Sequence, residues 1–261
     1  MIWEDGGVGP RRRNDSRVTN DLGYLRGVGD QPAIPAATVI LARDRSDGVE
    51  VLMLRRDSRL AFAGGMWVFP GGRIDSGDYP DDATDGDELA TAEVRAAARE
   101  AAEESGLVVD PSTLVRLSHW TPPPEATKRF STAFFIAAAP SGDVVIDDGE
   151  IRDHQWVRPL DALDAHRRGE IELAPPTFIT LTHLGEPTTT VELIDGVRAR
   201  DVEHFSTRIA TSGELVVALY HGDIAYDDVV LVDAPGPQHR LWLDPTGWRY
   251  ERTAHAPGVP S

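Results

Sequence analysis

Apolar and polar residues alternate in short blocks along the first part of the chain, and this pattern predicts β-strands. The apolar run 36–42 predicts a buried strand, and 49–56 predicts its antiparallel partner beyond a polar turn at 43–48. The segment 62–70 predicts a third strand that leads into a pair of glycines. Residues 1–32 lack such periodicity, so we expect a flexible N-terminal tail.

A long helix is predicted from Glu88 to Glu104, because this segment is rich in Ala, Glu and Arg and contains no Gly or Pro. Gly106 follows at the position where a left-handed residue would end the helix. Within the helix, Glu100, Glu103 and Glu104 stand at i, i+3 and i+4 and therefore share one face.

Three carboxylates on one helix face repel each other, and the helix dipole disfavours them further at the C-terminal end. A divalent cation would relieve both effects, and oxygen ligands of this kind suit Mg²⁺ or Mn²⁺. The alternative is an acidic helix face that water solvates, which is the usual setting of a charge run. Arg99 beside the first glutamate and the Gly71-Gly72 pair upstream favour the metal site.

The second half of the chain predicts shorter elements. Strands are predicted at 114–120, 134–137 and 155–157, and helices at 160–168 and from residue 176 onward. From residue 185 the pattern becomes β-like, with runs at 188–193, 215–219, 229–232 and 239–243 and with turns at 195–196 and 212–213. We therefore expect a main domain over 33–184 and a β-rich C-terminal extension over 185–261.

Composition narrows the classes of function. A net charge of −17 argues against a nucleic-acid partner, and no apolar run approaches the length of a membrane span. The chain has no Cys, which excludes disulfides, thiolate metal sites and a cysteine nucleophile. The start of the chain lacks the apolar core of a signal peptide, so we expect a cytoplasmic protein. The eight His residues are scattered, and none has the i, i+4 spacing of a helical zinc site.

The glutamate cluster and its surroundings resemble the Nudix box, written G-x5-E-x7-R-E-U-x-E-E-x-G-U with U apolar. The segment from Arg99 to Leu107 matches the second half of this box at every specified position, and Gly72 matches its first glycine. Arg99 follows Gly72 by 27 positions instead of 14, so about thirteen residues are inserted, around 76–88. Counted back from Arg99, the first glutamate of the box falls at Thr91, and its role is unfilled or belongs to Glu88 or Glu93.

An insertion at this place resembles the peroxisomal acyl-CoA diphosphatase branch of the family, whose box is also interrupted. Several further segments are similar to that branch: Leu54-Arg55-Arg56, Met66 to Gly72, Trp120-Thr121-Pro122, Lys128 to Phe135, Glu150 with Trp156, and Ala174 to Thr177. The L-R-x-H segment of the bacterial CoA-diphosphatase group is absent, and the chain does not end in the peroxisomal S-K-L address.

The resemblance implies an α/β fold, the Nudix α/β/α sandwich with a mixed β-sheet and a catalytic loop-helix-loop. It implies that Mg²⁺ or Mn²⁺ is held by the Gly72 carbonyl with Glu100, Glu103 and Glu104. It also implies that Arg99 orients the glutamates and that Glu100, Glu103 and Glu150 take part in catalysis. The candidates for contacts to substrate phosphates are four basic residues: Arg55, Arg56, Lys128 and Arg129.

The implied reaction is metal-dependent hydrolysis of a nucleoside diphosphate linked to another group. CoA or acyl-CoA is the leading substrate, with 3′,5′-ADP and a 4′-phosphopantetheine as products. An ADP-ribose or NADH pyrophosphatase is the first alternative, and a Nudix module that senses a nucleotide without catalysis is the second. A homodimer is a further possible assembly.

Overall fold

The computed structural model describes four stretches of the chain, residues 32–60, 63–81, 87–146 and 149–253. Nearly all of the expected N-terminal tail, Phe62 and the middle of the insertion at 82–86 lie outside the described residues. Within the described stretches, no helix is both long and apolar enough to span a bilayer.

Eight strands form the main sheet. They are β1 (Ile34–Arg45), β2 (Gly48–Arg56), β3 (Trp67–Val68), β4 (Gly71–Arg73), β5 (Val115–Thr121), β6 (Phe130–Ala138), β7 (Ile151–Val157) and β8 (Glu203–Ser206). The order is β3-β2-β1-β6-β5-β8, with β4 paired to β1 and β7 paired to β2. Since β1 runs antiparallel to β2 and parallel to β6, the sheet is mixed, as expected.

Strands β1 and β2 separate at one end, and the glycine pair lies in the opening between them. At the hairpin end, Ala42 of β1 pairs with Val51 of β2. Further along, Leu54 of β2 pairs with β3, and Thr38 of β1 pairs with Gly71 of β4. The segment that carries Gly71-Gly72 therefore lies between β1 and β2, at the centre of the sheet.

Four described helices pack against the sheet: α1 (Glu88–Ser105), α2 (Pro159–Arg167), α3 (Pro175–Leu184) and α4 (Thr190–Arg198). Alternate residues of each strand face opposite sides of the sheet. Val39 and Leu41 pack with the alanines of α1 on one face, whereas Ile40 and Ile136 pack with α3 and α4 on the other. This arrangement is the expected α/β/α sandwich.

The C-terminal region adds a second, antiparallel sheet of order β12-β11-β10-β9. Its strands are β9 (Arg208–Ser212), β10 (Leu215–Leu219), β11 (His239–Leu243) and β12 (Arg249–Arg252). Strand β8 leaves this region and pairs in parallel with β5 of the main sheet. The predicted β-rich extension is confirmed, with one of its strands built into the main sheet.

Two predicted strands of the extension are wrong. Residues 190–193 of the first run and the turn at 195–196 belong to α4, whose buried residues Thr190, Leu193, Ile194 and Val197 follow a helical period. The run 229–232 lies in a 3₁₀ helix, Val229–Asp233. The strand predicted at 62–70 is also shorter than expected. β3 covers only Trp67–Val68, and the next strand, β4, begins at Gly71.

Candidate active site

Helix α1 presents the three glutamates in its last two turns. Gly106 ends the helix in the left-handed conformation, with φ of 71°, and its N–H donates to the Ala102 carbonyl at 2.9 Å. Ala96, Ala97 and Ala101 lie on the same side of the helix, each three to seven residues from one of the glutamates, and pack in the core against the sheet. Small side chains at these positions bring the helix close to β1 and β4, so the glutamates reach the glycine pair.

Glu104 is the most buried of the three carboxylates, with 7% of the residue exposed. The Gly71 N–H donates to its Oε2 at 2.9 Å, and Arg56 Nη1 lies 3.7 Å from its Oε1. Burial raises the pKa of Glu104 to about 8, and the neighbouring charges of Glu100 and Glu150 add to this shift. The carboxyl of Glu104 is therefore mostly protonated at neutral pH unless a cation takes the place of its proton.

Gly72 and Gly71 are glycines because their surroundings leave no room for a side chain. A Cβ atom on Gly72 would lie 2.5 Å from Glu100 Oε1, and one on Gly71 would lie 2.0 Å from Thr38 Oγ1. The backbone of this turn therefore lies directly against the carboxylate of Glu100. Burial also raises the pKa of Glu100, and the charge of Glu103 adds to that effect while Arg99 opposes it.

Arg99 forms hydrogen bonds both to the carboxylates and to β4, the strand that carries the glycine pair. Its Nη1 donates to Glu100 Oε1 at 2.8 Å and to Glu103 Oε2 at 2.9 Å. Its Nη2 donates to the Arg73 carbonyl, and Nε and Nη2 donate to the two oxygens of Asp78 at 3.0 and 2.9 Å. Such a paired contact fixes the plane of the guanidinium and, through it, the orientation of both glutamates.

Asp78 was assigned to the insertion by sequence reasoning, which gave it no role in the site. It lies six positions after Gly72, which is the spacing of the first glutamate of the box when it is counted forward from the glycine. Neither Glu88 nor Glu93, the two other candidates for the first glutamate of the box, contacts Arg99 in this way. Glu93 is buried in an ion pair with Arg116, and Glu88 is exposed. The insertion therefore separates Asp78 from Arg99 in sequence but leaves their contact intact.

Glu150 approaches the cleft from a separate loop. Arg56 Nη2 donates to Glu150 Oε2 at 2.8 Å, so Arg56 stands between Glu150 and Glu104. The Asp57 N–H donates to the Glu150 carbonyl at 2.7 Å, and the Asp57 carboxylate accepts from Arg59 and Arg152. These hydrogen bonds hold the pKa of Asp57 well below its usual value and anchor the backbone that carries Glu150.

The carboxylates open into a cavity of about 680 Å³. Arg56 and Lys128 line it together with Gly72, Arg99 and all four predicted acidic residues. Arg55 and Arg129 are not among its lining residues, although they were predicted to contact phosphate. Arg55 lies on β2 where the pairing with β7 is irregular between Arg55 and Arg56, and Arg129 immediately precedes β6.

The described residues hold no group of three or more acidic or His side chains already gathered to bind a metal. Arg99 engages Glu100 and Glu103, and Arg56 lies against Glu104, so the carboxylates are held by cationic side chains. The residues nevertheless fit a divalent cation. Glu104 and Glu100 are acidic groups whose burial raises their pKa, and the Gly72 backbone adjoins Glu100 without an intervening side chain.

Comparison with known proteins confirms the resemblance to the Nudix family. The NUDIX domain family model matches residues 32–176. The Caenorhabditis elegans protein named "Putative nudix hydrolase 7" is 27% identical in an alignment of length 251 that covers 81% of this chain and 81% of that protein. The crystal structure of a NUDIX hydrolase from Alicyclobacillus acidocaldarius is similar in fold, with a TM-score of 0.53 and 24% identity, over 59% of this chain and 91% of that one.

Proposed function

Because the chain belongs to the NUDIX domain family and is a hydrolase, we propose that it hydrolyses CoA and acyl-CoA at the diphosphate bridge. Water would add to one phosphorus of the P–O–P bridge, giving 3′,5′-ADP and an (acyl-)4′-phosphopantetheine. If the group linked to the nucleoside diphosphate is not the pantetheine of CoA, the broader proposal still holds, namely hydrolysis of a nucleoside diphosphate linked to another group.

One observation carries the proposal: buried carboxylates and basic side chains line a single cavity beside the glycine pair of β4, which has no side chains. Glu104 and Glu100 lie against Gly71 and Gly72. Lys128, the only lysine of the chain, also lines this cavity. A diphosphate is large, doubly charged and rich in oxygen, so it needs both cations to balance its charge and a backbone that it can approach closely.

The metal ligands we propose are the Gly72 carbonyl, Glu100, Glu103 and Glu104. Bound Mg²⁺ or Mn²⁺ would neutralise the diphosphate and lower the pKa of the attacking water. Arg99 positions Glu100 and Glu103, as its hydrogen bonds indicate. Glu100 or Glu150 would accept the proton of the water, because both carboxylates line the cavity.

The proposal for CoA rests on two supports. The segments around Trp120 and Lys128 resemble the acyl-CoA diphosphatase branch, and Trp120, Pro122, Lys128 and Phe130 all line the cavity. Lys128 is our candidate contact for the 3′-phosphate of CoA, and Arg56 is our candidate for the diphosphate. Arg55 and Arg129 are left out of this proposal, because they do not line the cavity.

The test is a hydrolysis assay with Mg²⁺ or Mn²⁺ over CoA, acyl-CoAs, ADP-ribose and NADH, with products separated by chromatography. We expect release of 3′,5′-ADP from CoA species at a higher kcat/KM than from any other substrate. Preference for ADP-ribose or NADH would overturn the CoA assignment and keep the hydrolysis. Nucleotide binding without turnover of any substrate would overturn the hydrolysis and favour a sensing module.

A further inference from the structure

A second cavity, of about 280 Å³, is lined by β5 and β8 of the main sheet and by helices α3 and α4. Trp120 of β5 lines both this cavity and the one that holds the glutamates. The Trp120 ring stacks on Phe205 with centroids 3.8 Å apart, and its Nε1 donates to Ser118 Oγ at 3.0 Å. The three glutamates of α1 do not line the second cavity, so it is a separate space beside the candidate active site.

Part of the lining of the second cavity is apolar and belongs to the core. Leu184, Leu193, Val197 and Phe205 line it, and each of them is less than a tenth exposed. They come from α3, α4 and β8 and lie in one apolar cluster. An apolar group that enters the second cavity therefore leaves water for apolar surroundings, which favours binding.

A buried hydroxyl also lines the second cavity. Thr180 of α3 is 3% exposed. Among the described residues, none forms a hydrogen bond with its hydroxyl, whereas the hydroxyl of Thr182 donates to the Phe178 carbonyl at 2.9 Å. A buried polar group without a partner costs free energy, and a ligand that bonds to the Thr180 hydroxyl would remove this cost.

The remaining lining of the second cavity carries an excess of negative charge. Its four carboxylates are those of Glu186, Glu192, Asp201 and Glu203. Arg200 in the lining supplies one positive charge, and Arg252 supplies another at 2.6 Å from Glu203. Burial lowers the pKa of His183, so this ring adds no charge at neutral pH. The excess of carboxylates repels an anionic ligand and attracts a cationic one.

We propose that the second cavity binds a small amine, a molecule with an apolar body and one ammonium group. The apolar body lies against Leu184, Leu193 and Val197, and the ammonium group donates a hydrogen bond to the Thr180 hydroxyl oxygen in the field of the carboxylates. A water molecule takes up about 30 Å³ of liquid, so the second cavity has room for about nine non-hydrogen atoms. This ligand is distinct from the substrate of the proposed function.

The test measures binding of 2-phenylethylamine to the full chain by titration calorimetry at pH 7 without Mg²⁺. This amine fits the volume and carries a positive charge at that pH, and phenylacetate is an anion of similar size and shape. We expect a dissociation constant below about 1 mM for the amine and binding of phenylacetate that is at least about tenfold weaker. Undetectable binding of the amine, or equal affinity for both molecules, would overturn the proposal.

Thr180→Val tests whether the amine lies in the second cavity or against the glutamates of α1. The substitution keeps the shape of the side chain, removes the hydroxyl and should weaken amine binding about tenfold. Thr182→Val is the matched control on the same helix, because the Thr182 hydroxyl bonds to the Phe178 carbonyl and Thr182 does not line the second cavity. The control should change the dissociation constant by less than about twofold.

Gly196→Leu is the second variant, and it decides the test if Thr180→Val does not fold. Gly196 lines the second cavity, and a Cβ atom there would meet nothing within 4 Å, so a leucine extends into free space and should weaken amine binding at least about fivefold. Ala199→Leu is its control, because Ala199 is exposed at the end of the same helix and does not line the second cavity.

Wild-type affinity for the amine in either folded variant would place the ligand elsewhere and overturn the proposal. The thermal unfolding midpoint of each variant, measured by circular dichroism, shows whether it is folded. Each arm measures binding and not turnover, so a failure of the proposed hydrolysis leaves these outcomes unchanged.

Discussion

Glu103 and Glu104 lie in consecutive positions but in very different surroundings. Glu104 is buried against Gly71, whereas the side chain of Glu103 is 59% exposed and contacts Arg99. Exposure allows Glu103 to be changed without disturbing the core. Glu103 is therefore the position at which the proposed metal-binding role can be tested while the packing of the cluster is kept.

Glu103→Gln should lower turnover by about two orders of magnitude or more, because the substitution removes a charged metal ligand. Its thermal unfolding midpoint should stay close to that of wild-type protein, which circular dichroism would measure. Glu88→Gln is the control on the same helix, since Glu88 is exposed at the opposite end and should be dispensable. Full activity in Glu103→Gln would contradict the metal assignment.

The pKa of Glu104 predicts how metal binding depends on pH. Burial raises this pKa to about 8, so below pH 8 the cation must displace a proton. The apparent affinity for Mg²⁺ should rise about tenfold per pH unit between pH 6 and 7.5 and level off above about pH 8.5. Titration calorimetry in two buffers of different ionisation enthalpy would count the released proton. Glu104→Gln should release none, and a pH-independent wild-type affinity would refute the argument.

At the scale of elements, α4 was predicted as a strand and a turn. The chain enters this helix through Thr188-Thr189-Thr190-Val191, a β-branched run that favours a strand when it is considered alone. In the structure, Thr189 instead caps the helix by accepting a hydrogen bond from the Glu192 N–H at 3.1 Å. The apolar residues from Leu193 to Val197 then pack on the sheet, and this long-range burial overrides local propensity.

Gly196 provides a direct test of the helix. A Cβ atom there would meet nothing within 4 Å, so Gly196→Ala should raise the free energy of unfolding by about 0.5–1 kcal/mol. Gly213→Ala should have the opposite effect, because Gly213 forms a turn with φ of 58° that strains an L-residue. Urea denaturation of both variants measures these changes. Destabilisation by Gly196→Ala would indicate a turn at this position.

The elements that were predicted correctly are those whose signals are local. The β1–β2 hairpin, α1 and its Gly106 cap follow from apolar alternation, helix-forming composition and one glycine, all within short segments. The glutamate cluster was visible for the same reason. The contact of Asp78 with Arg99 and the contribution of Ile209 and Tyr220 to the cavity were missed, because each joins residues that are distant in sequence and become neighbours only after folding.

At the scale of the whole molecule, the C-terminal region shares its packing with the main sheet. β8 pairs with β5, and Phe205 is buried between Trp120 and Tyr220. Residues from both regions, such as Ile40 and Leu241, belong to one apolar cluster. This continuity argues that the regions 33–184 and 185–261 unfold together.

Phe205→Ala should therefore destabilise the entire protein, by about 3–5 kcal/mol. We expect one thermal transition in both far-UV circular dichroism and tryptophan fluorescence, and the variant should shift both signals equally. Val230→Ala is the control, because Val230 is 77% exposed, and its effect should stay within about 0.5 kcal/mol. Two transitions, of which Phe205→Ala moves only one, would show that the regions unfold independently.

The pairing of β5 with β8 has a consequence for the protein while it is being made. The ribosome adds about 5–20 residues per second and releases the N-terminal part first, so β5 emerges well before its partner. During this interval, β5 has an open edge that could pair with another chain. The glutamates of α1 also emerge long before Ile209 and Tyr220 complete the cavity. A nascent chain therefore carries the glutamates before the residues that complete the cavity around them have been synthesised.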